Sequence, residues 1–329
     1  MAPSVRSLMR RRVILCTRQS LNPSPVFAKV INACGFDLDV SRNAEIDPSS
    51  ADAVWIQGNP IWFPRVVKSI RRAIPSKRPK LFIWLTEPLP PPAVSGYKPR
   101  RMSLREIAKV AVRDVRVTDP YSNARKLLAL ESEGLIAEIV VSTGARKTWR
   151  LEHGVDSTFI PRGYLPGMGS DMGLTRDIDV LFIGTPDDPR HRYCIRYLKR
   201  RGVNLTAVGG YDKRGIWGEA RNNLVNRAKI FVCLQRQEGE LSGARMLLGM
   251  ANRSMVLSET TYDPAPYVPG THYVSADLKD FPESIEHYLS HHDERACVAE
   301  KGYEFVINQM TMERSLVKML SLIDSKLSA

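Results

Sequence analysis

Ala53-Val54-Trp55-Ile56-Gln57, then Pro64 to Ile74, then Lys80-Leu81-Phe82-Ile83-Trp84-Leu85: this stretch decides the fold. The outer runs are short, apolar and rich in β-branched and aromatic residues, so they read as strands. The segment between them reads as an amphipathic helix loaded with Arg65, Lys68, Arg71 and Arg72. A strand, a helix of about ten residues and a second strand make a βαβ unit, which implies a parallel sheet.

The same rhythm runs outward in both directions. Upstream, Val13–Thr17 and Asp37–Val40 read as strands around a helix, Val26–Cys34, closed by Gly35. Downstream come a helix Leu104–Val112, with Ser103 and Glu106 spaced as a capping box, and a strand Val115–Thr118. A helix Ser122–Glu133 and a strand Ala137–Val141 follow. Ile160 to Asp179 breaks the pattern with closely spaced Gly and Pro, a linker signal. After it strands are expected at Asp179–Ile183, Leu205–Val208, Lys229–Leu234 and Ser254–Ser258. Helices are expected at His191–Arg201, Trp217–Arg227 and Ala244–Ala251, and over most of Phe281 to Leu327. The expected architecture is α/β: two Rossmann-like, doubly wound parallel-sheet domains facing a cleft. Residues 1–165 form the first and 166–310 the second, with a C-terminal helix, 311–329, packing back on the first. Ligands of such sheets bind beyond the carboxyl ends of the strands, so the cleft is the expected site.

Composition agrees with a globular chain. Apolar residues make up 43% of the 329 and charged residues 25%. No apolar run approaches the roughly 18 residues of a membrane span. The five cysteines are scattered, with no CxxC pair, and fit buried thiols in a reducing cytoplasm better than disulfides or a zinc site. The net charge of +13 is uneven: residues 1–165 hold 27 Lys and Arg against 14 Asp and Glu, and residues 166–329 hold 21 of each. That asymmetry points to an anionic partner for the first half: a membrane surface, an acidic polymer or nucleic acid. No G-x-x-x-x-G-K-[ST] or G-x-S-x-G occurs, against a P-loop NTPase or an α/β-hydrolase.

Two stretches carry a family likeness. His153-Gly154-Val155-Asp156-Ser157-Thr158-Phe159-Ile160-Pro161 looks like the signature leading into the interdomain linker of GT-B glycosyltransferases. From Asp179 to about Ser315 the chain resembles the nucleotide-binding half of group 1 glycosyltransferases, especially the CgeB-like branch. Asp179–Gly184, Gly243-Ala244-Arg245, Val268-Pro269-Gly270, Tyr288-Leu289, Glu294-Arg295 and Ala299–Gly302 fall in the expected order. The resemblance implies transfer of a sugar from a nucleotide-diphosphate donor, UDP- or GDP-linked, to a saccharide or lipid-linked acceptor. No metal and no cofactor besides the donor is expected.

Such an enzyme must hold a diphosphate while the sugar carbon gains positive charge. Gly184-Thr185 and Gly209-Gly210 follow strands and can bring backbone close to a phosphate. Ser242-Gly243-Ala244 opens the helix carrying Arg245, which joins a helix N-terminus to a cation; Arg190 and Arg192 are further cations. Many group 1 enzymes have two glutamates eight positions apart, one meeting the sugar and one the ribose. Here the first is Glu240 and the second position is Leu248, which cannot accept a hydrogen bond; Arg253 stands where glycine is usual. If the anomeric centre inverts, a group of the first domain deprotonates the acceptor. Glu87, after the strand ending at Leu85, is the first candidate and Asp119 the second.

Arg105, Lys109 and Arg113 recur at helical spacing behind Arg100 and Arg101, giving a basic acceptor or membrane-facing surface in the first domain. The leading expectation is a cytoplasmic glycosyltransferase, peripheral on the inner face of the membrane. A DNA-modifying glycosyltransferase, an inactive saccharide-binding scaffold and a nucleotide-sugar epimerase are the alternatives. The D-x-D motifs Asp37–Asp39 and Asp177–Asp179, and His291-His292-Asp293, are read as solvated surface rather than metal sites.

Overall fold

The computed structural model describes residues 10–17, 25–41, 46–98, 107–108, 120–186, 188–210 and 215–329. The expected helix Leu104–Val112 and strand Val115–Thr118 lie almost wholly outside the described residues.

The βαβ unit that opened the reading forms the centre of the first sheet. Its strands are β1 (Arg11–Thr17), β2 (Phe36–Ser41), β3 (Ala53–Gln57), β4 (Lys80–Leu85), β5 (Ile136–Val141) and β6 (Thr158–Phe159), in the order β2-β1-β3-β4-β5-β6. Every pairing is parallel. Alternate residues of each central strand go to opposite faces. Ile14, Cys16, Val54, Ile56, Leu81 and Ile83 pack with helices α2 (Pro64–Arg72) and α3 (Pro120–Ser132). Val13, Leu15, Trp55, Phe82, Trp84 and Val140 pack on the other side with helix α1 (Pro25–Ala33). Both faces are covered, as a parallel sheet requires. Trp55 and Trp84 stack with ring centroids 5.8 Å apart, and the Trp84 indole donates to the Ile160 carbonyl at 3.1 Å.

The helix α4 (Gly144–Glu152) and the short β6 were not expected from the sequence. Gly144 starts this helix, and the Thr143 side chain caps it. It is glycine for a tertiary reason: a Cβ would lie 1.8 Å from the Asp263 carboxylate of the second domain.

The second sheet holds β7 (Ile178–Ile183), β8 (Leu205–Val208), β9 (Ala228–Cys233), β10 (Met255–Glu259) and β11 (Val274–Ala276), in the order β11-β10-β9-β7-β8, again all parallel. Helix α5 (Pro189–Arg200) packs on one face together with α8 (Phe281–Ser290) and α9 (His292–Glu304). Helices α6 (Gly218–Asn226) and α7 (Gly243–Ala251) pack on the other. The topological switch falls between β7 and β9, where the order reverses.

The segment read as a linker starts inside the first core, where Ile160 and Leu165 are buried. It then runs beside the returning chain. The Tyr164 N–H donates to Met310 O and the Met312 N–H to Tyr164 O, both at 2.7 Å. The two crossings touch so closely that a Cβ on Gly163 would sit 2.3 Å from the Thr311 backbone. Beyond them α10 (Met312–Ser328) lies against the first domain. Met312, Leu316, Met319, Leu320 and Ile323 are buried among Val13, Phe27, Val30 and Ile31. Each such burial contributes about 1.5–3 kcal/mol. Lys326 reaches Glu138 at 2.9 Å and Ser315 Oγ donates to Pro161 O at 2.8 Å.

Candidate functional site

The carboxyl ends of β7, β9 and β10 present three polar loops toward the first domain. His191, on the first turn of α5, is fully buried among them. Its Nδ1 lies 3.0 Å from Thr185 O, while Nε2 lies 3.1 Å from Leu234 O and 3.4 Å from Arg245 Nη2. Burial first, and then the Arg245 charge, hold its pKa down at about 4, so the ring is neutral at physiological pH. A neutral imidazole has one N–H, and both ring nitrogens face a carbonyl oxygen, so the ring donates to one of the two, Thr185 O or Leu234 O. Arg245 also donates to Leu234 O and lies over the Phe182 ring at 5.4 Å. Arg236 donates to Thr185 Oγ1 at 2.8 Å. Thr185, Arg236 and Arg245 thus come together at the switch point, with His191 beneath them.

Two helices begin here, and they begin differently. Helix α5 has Pro189 first, which has no N–H, and the Asp188 carboxylate accepts from Arg190 N at 3.1 Å and His191 N at 3.4 Å. Its start is filled by a carboxylate of the chain. Helix α7 has Ser242 as its cap with no side-chain hydrogen bond. Gly243 has open space where a Cβ would go, and Ala244 is exposed. The start of α7, with Arg245 on its first turn, therefore has no side-chain cap, and its partial positive charge lies beside a guanidinium.

The glycine loops do something else. The Gly184 N–H donates to Val208 O at 3.1 Å, so it belongs to the sheet ladder and does not point at a ligand. Gly209 has φ +113°, and a Cβ there would lie 2.4 Å from Gly184 O. It is glycine so that the two loops can touch; Gly210 follows at φ +150°.

Arg190 turns inward to the carboxyl end of β10. It grips Glu259 with both nitrogens, at 2.8 and 2.6 Å, and Gln235 N donates to the same carboxylate at 2.6 Å. Burial opposes the charge on Arg190, but the Glu259 carboxylate outweighs it and raises the pKa. Arg192 is exposed on the outer face of α5 and lines a groove there with Arg196 and Arg200, away from the Arg190 pair. Two residues apart on a helix differ by about 200° in direction, so the two arginines leave α5 on different sides.

Glu240 bridges the domains. Its carboxylate lies 2.9 Å from Arg146 of α4, the arginine 8% exposed, and Arg146 also donates to Ser142 Oγ at 2.7 Å. Leu248 is buried in the core against the α7 face of the sheet. Arg253 has φ +54°, a conformation that favours glycine, and there it holds Asp171 at 2.6 Å and Glu300 at 2.5 and 2.7 Å. Glu87 is half-buried two residues beyond β4, on the cleft side of the first sheet. Arg100, Arg101, Arg105, Lys109, Arg113 and Asp119 lie outside the described residues. Both D-x-D motifs are occupied by cations: Asp37 by Arg10, Asp39 by Arg12, Asp177 by Arg227 and Asp179 by Lys229.

Sequence reasoning missed His191, Gln235, Arg236, Glu259, Tyr97 and Arg146. Glu259 had a usable signal, a carboxylate ending a buried strand at the ligand edge of the sheet. Tyr97 and Arg146 had none, because they reach the site only through the meeting of the domains. Tyr97 lies against Gly239, where a Cβ would come within 2.2 Å of its ring. Gln237 Nε2 donates to Lys98 O at 2.8 Å on the same seam. Beside the seam opens a cavity of about 350 Å³, bounded by Tyr97, Tyr193, Tyr197, Glu238, Glu259 and Asp277.

Residues 190–321 match a family model described as glycosyl transferase-like. No protein of curated function matches the chain. Among solved structures, the chain is similar to sucrose-phosphate synthase from Thermosynechococcus elongatus, with 12% identity over 97% of this chain and 100% of that one and a TM-score of 0.63. It is similar to HepE from Anabaena in complex with UDP, with 10% identity over 96% and 100% and a TM-score of 0.63. TarM matches at 12% identity over 83% of this chain with a TM-score of 0.58, and the chain spans 55% of TarM's length. These likenesses show the fold: two parallel-sheet α/β domains in the GT-B arrangement.

Proposed function

We propose that the chain transfers a sugar from a nucleoside-diphosphate donor, with the diphosphate held at the start of α7. The observation that carries this is the uncapped N-terminus of α7 with Arg245 and Arg236 beside it, in a domain that matches a glycosyl transferase-like family. As the bond from the sugar carbon to the phosphate oxygen breaks, the diphosphate gains charge. Backbone N–H groups and guanidinium groups aimed at that oxygen stabilise it more than the ground state, which lowers the barrier. Neutral His191 adds no competing charge and fixes Arg245. These cations supply what a divalent metal would, so transfer is metal-independent in this reading. UDP is the first nucleotide to try, because the similar HepE is seen with it. The acceptor is a saccharide, free or lipid-linked, meeting the donor from the first domain, with Glu87 as the base if the centre inverts.

A second reading has one observation in its favour. Leu248 is core and Glu240 is engaged by Arg146, so neither glutamate position of the resembled family faces an open site. A binding scaffold on the same fold would look like this. Thermal stabilisation by UDP, GDP, ADP and CMP, with and without a divalent cation, separates the two. A shift with one diphosphate nucleotide that needs no metal and vanishes in Arg245→Ala supports transfer. No shift at millimolar nucleotide supports the scaffold.

A further inference from the structure

Three buried amide side chains lie at the carboxyl edge of the first sheet. Two of them, Asn59 and Asn123, are each 2% exposed and are paired. Asn59 Nδ2 donates to Asn123 Oδ1 at 2.6 Å, and Asn59 Oδ1 accepts from Ile61 N at 3.1 Å. Asn123 Nδ2 donates to Pro88 O at 3.0 Å, which fixes the loop that carries Glu87. Gln57, 6% exposed, is different. Neither its Oε1 nor its Nε2 has a hydrogen-bond partner among the described residues. A buried polar group left unpaired has lost its water and gained nothing, so such groups mark strain or a ligand.

The place of Gln57 in the sheet favours a ligand. The order β2-β1-β3-β4 reverses direction between β1 and β3, so the topological switch of the first sheet lies between their carboxyl ends. Gln57 ends β3 and is in register with Thr17, which ends β1. Side chains alternate along a strand, so Gln57 follows Ala53 and Trp55 onto the face that α1 covers. The indole N–H of Trp55, two residues earlier on that face, is also buried without a partner. On its other side Gln57 is in register with Trp84, and Glu87 stands three residues past Trp84 on the continuation of β4. With strands about 4.8 Å apart and about 3.3 Å of rise per residue, the Cα atoms of Gln57 and Glu87 lie within about 11 Å. Two side chains and one sugar ring fill such a span.

The unpaired groups select the chemistry. Gln57 Oε1 accepts, and Gln57 Nε2 and Trp55 Nε1 donate. A hydroxyl does both, so neighbouring hydroxyls on one ring satisfy the amide at both ends. An ionised phosphate or carboxylate only accepts, and would set a second acceptor against Oε1. We infer that Gln57 is a specificity-determining residue of the acceptor site: it holds an uncharged, hydroxyl-bearing sugar unit at the switch of the first sheet, with the reacting hydroxyl turned toward Glu87. The inference rests on the transfer reading, in which the acceptor meets the donor from the first domain.

The test is calorimetry with UDP present and six probes: the methyl glycosides of glucose, galactose, mannose and N-acetylglucosamine, and methyl glucuronide and glucose 6-phosphate as charged counterparts. At least one neutral glycoside is expected to bind, and more tightly than either charged probe. Gln57→Met, close in size but without hydrogen-bonding groups, should weaken that glycoside about tenfold. Gln57→Leu is the second variant, and an undiminished UDP shift in thermal melts shows that each folds. Without glycoside their melting points should hold or rise, because an unpaired buried amide gives way to an apolar group. Glycoside affinity unchanged in both variants overturns the proposal, as does a charged probe bound more tightly than every neutral one. If the wild type responds to UDP but binds no neutral glycoside, the Gln57 site falls and the transfer reading stays. If no nucleotide shifts the wild type while a neutral glycoside still needs Gln57, the saccharide site stands and the transfer reading falls.

Discussion

Helices α5 and α7 start at the same edge of the same sheet, yet one start is closed and the other open. Both carry the partial positive charge of an N-terminus. At α5 the chain's own Asp188 takes the N–H groups and Pro189 removes another. At α7 no side chain does so, and Arg245 adds a full charge. The local glycine content does not separate them, since Gly184 precedes α5 and Gly243 opens α7. What separates them is whether the donors are already satisfied. The missing side-chain cap, not the glycines, distinguishes the α7 start from the α5 start.

The sharpest way to break this comparison is Arg245→Ala. Removing a cation at the developing anion should lower turnover by about 10²–10³-fold, roughly 3–4 kcal/mol, and abolish the UDP shift in thermal melts. An unchanged UDP shift would place the anion elsewhere. His191→Gln comes next and is read by pH. Its folded pKa, about 4, lies below the ordinary value of 6.5, so between those limits the unfolded chain binds the extra proton. Wild-type stability should therefore fall as pH drops from 6.5 toward 4, by on the order of 3 kcal/mol. Denaturant titrations of the Gln variant should lack that share of the slope; a parallel decline in both proteins refutes the neutral His191. Ser242→Asp gives α7 the cap that α5 has. It should stabilise the empty protein by a few tenths to about 1 kcal/mol and weaken UDP about tenfold. Calorimetry showing undiminished affinity would mean that the diphosphate does not sit there. The smallest effect is Asp188→Ala, which should cost about 1 kcal/mol in stability and, by removing a carboxylate 3.8 Å from Arg236, tighten UDP slightly in calorimetry.

The alternation of short apolar runs with amphipathic segments was enough to read the two sheets. Ala53–Gln57, Lys80–Leu85 and Leu205–Val208 have the expected ends. Helix α4 and strand β11 were not legible, since their residues are placed by the opposite domain and by neighbouring strands rather than by local period. The site divides in the same way. Ser242 and Arg245 can be placed together from sequence because they are local to one helix start. The Arg190–Glu259 pair and the His191–Arg245 contact join residues 69 and 54 positions apart. No spacing rule reaches that far. Arg192 is exposed on the outer side of α5, a direction that a motif does not state. Arg253 is the converse, a residue whose oddity in the sequence has a visible cause in three ionic and ring contacts.

The side-by-side crossing of the chain at Tyr164 and Met310–Met312 has a consequence for synthesis. The domain begun first is completed last, because α10 supplies five buried side chains to a core that starts at Val13. While the second domain emerges from the ribosome, the first waits with Phe27, Val30 and Ile31 uncovered. Nascent chains that stall or are clipped before residue 312 carry a bare apolar stripe beside a finished second domain. Such fragments are natural clients for chaperones and seeds for aggregation, and the order of assembly is written into where the last helix docks.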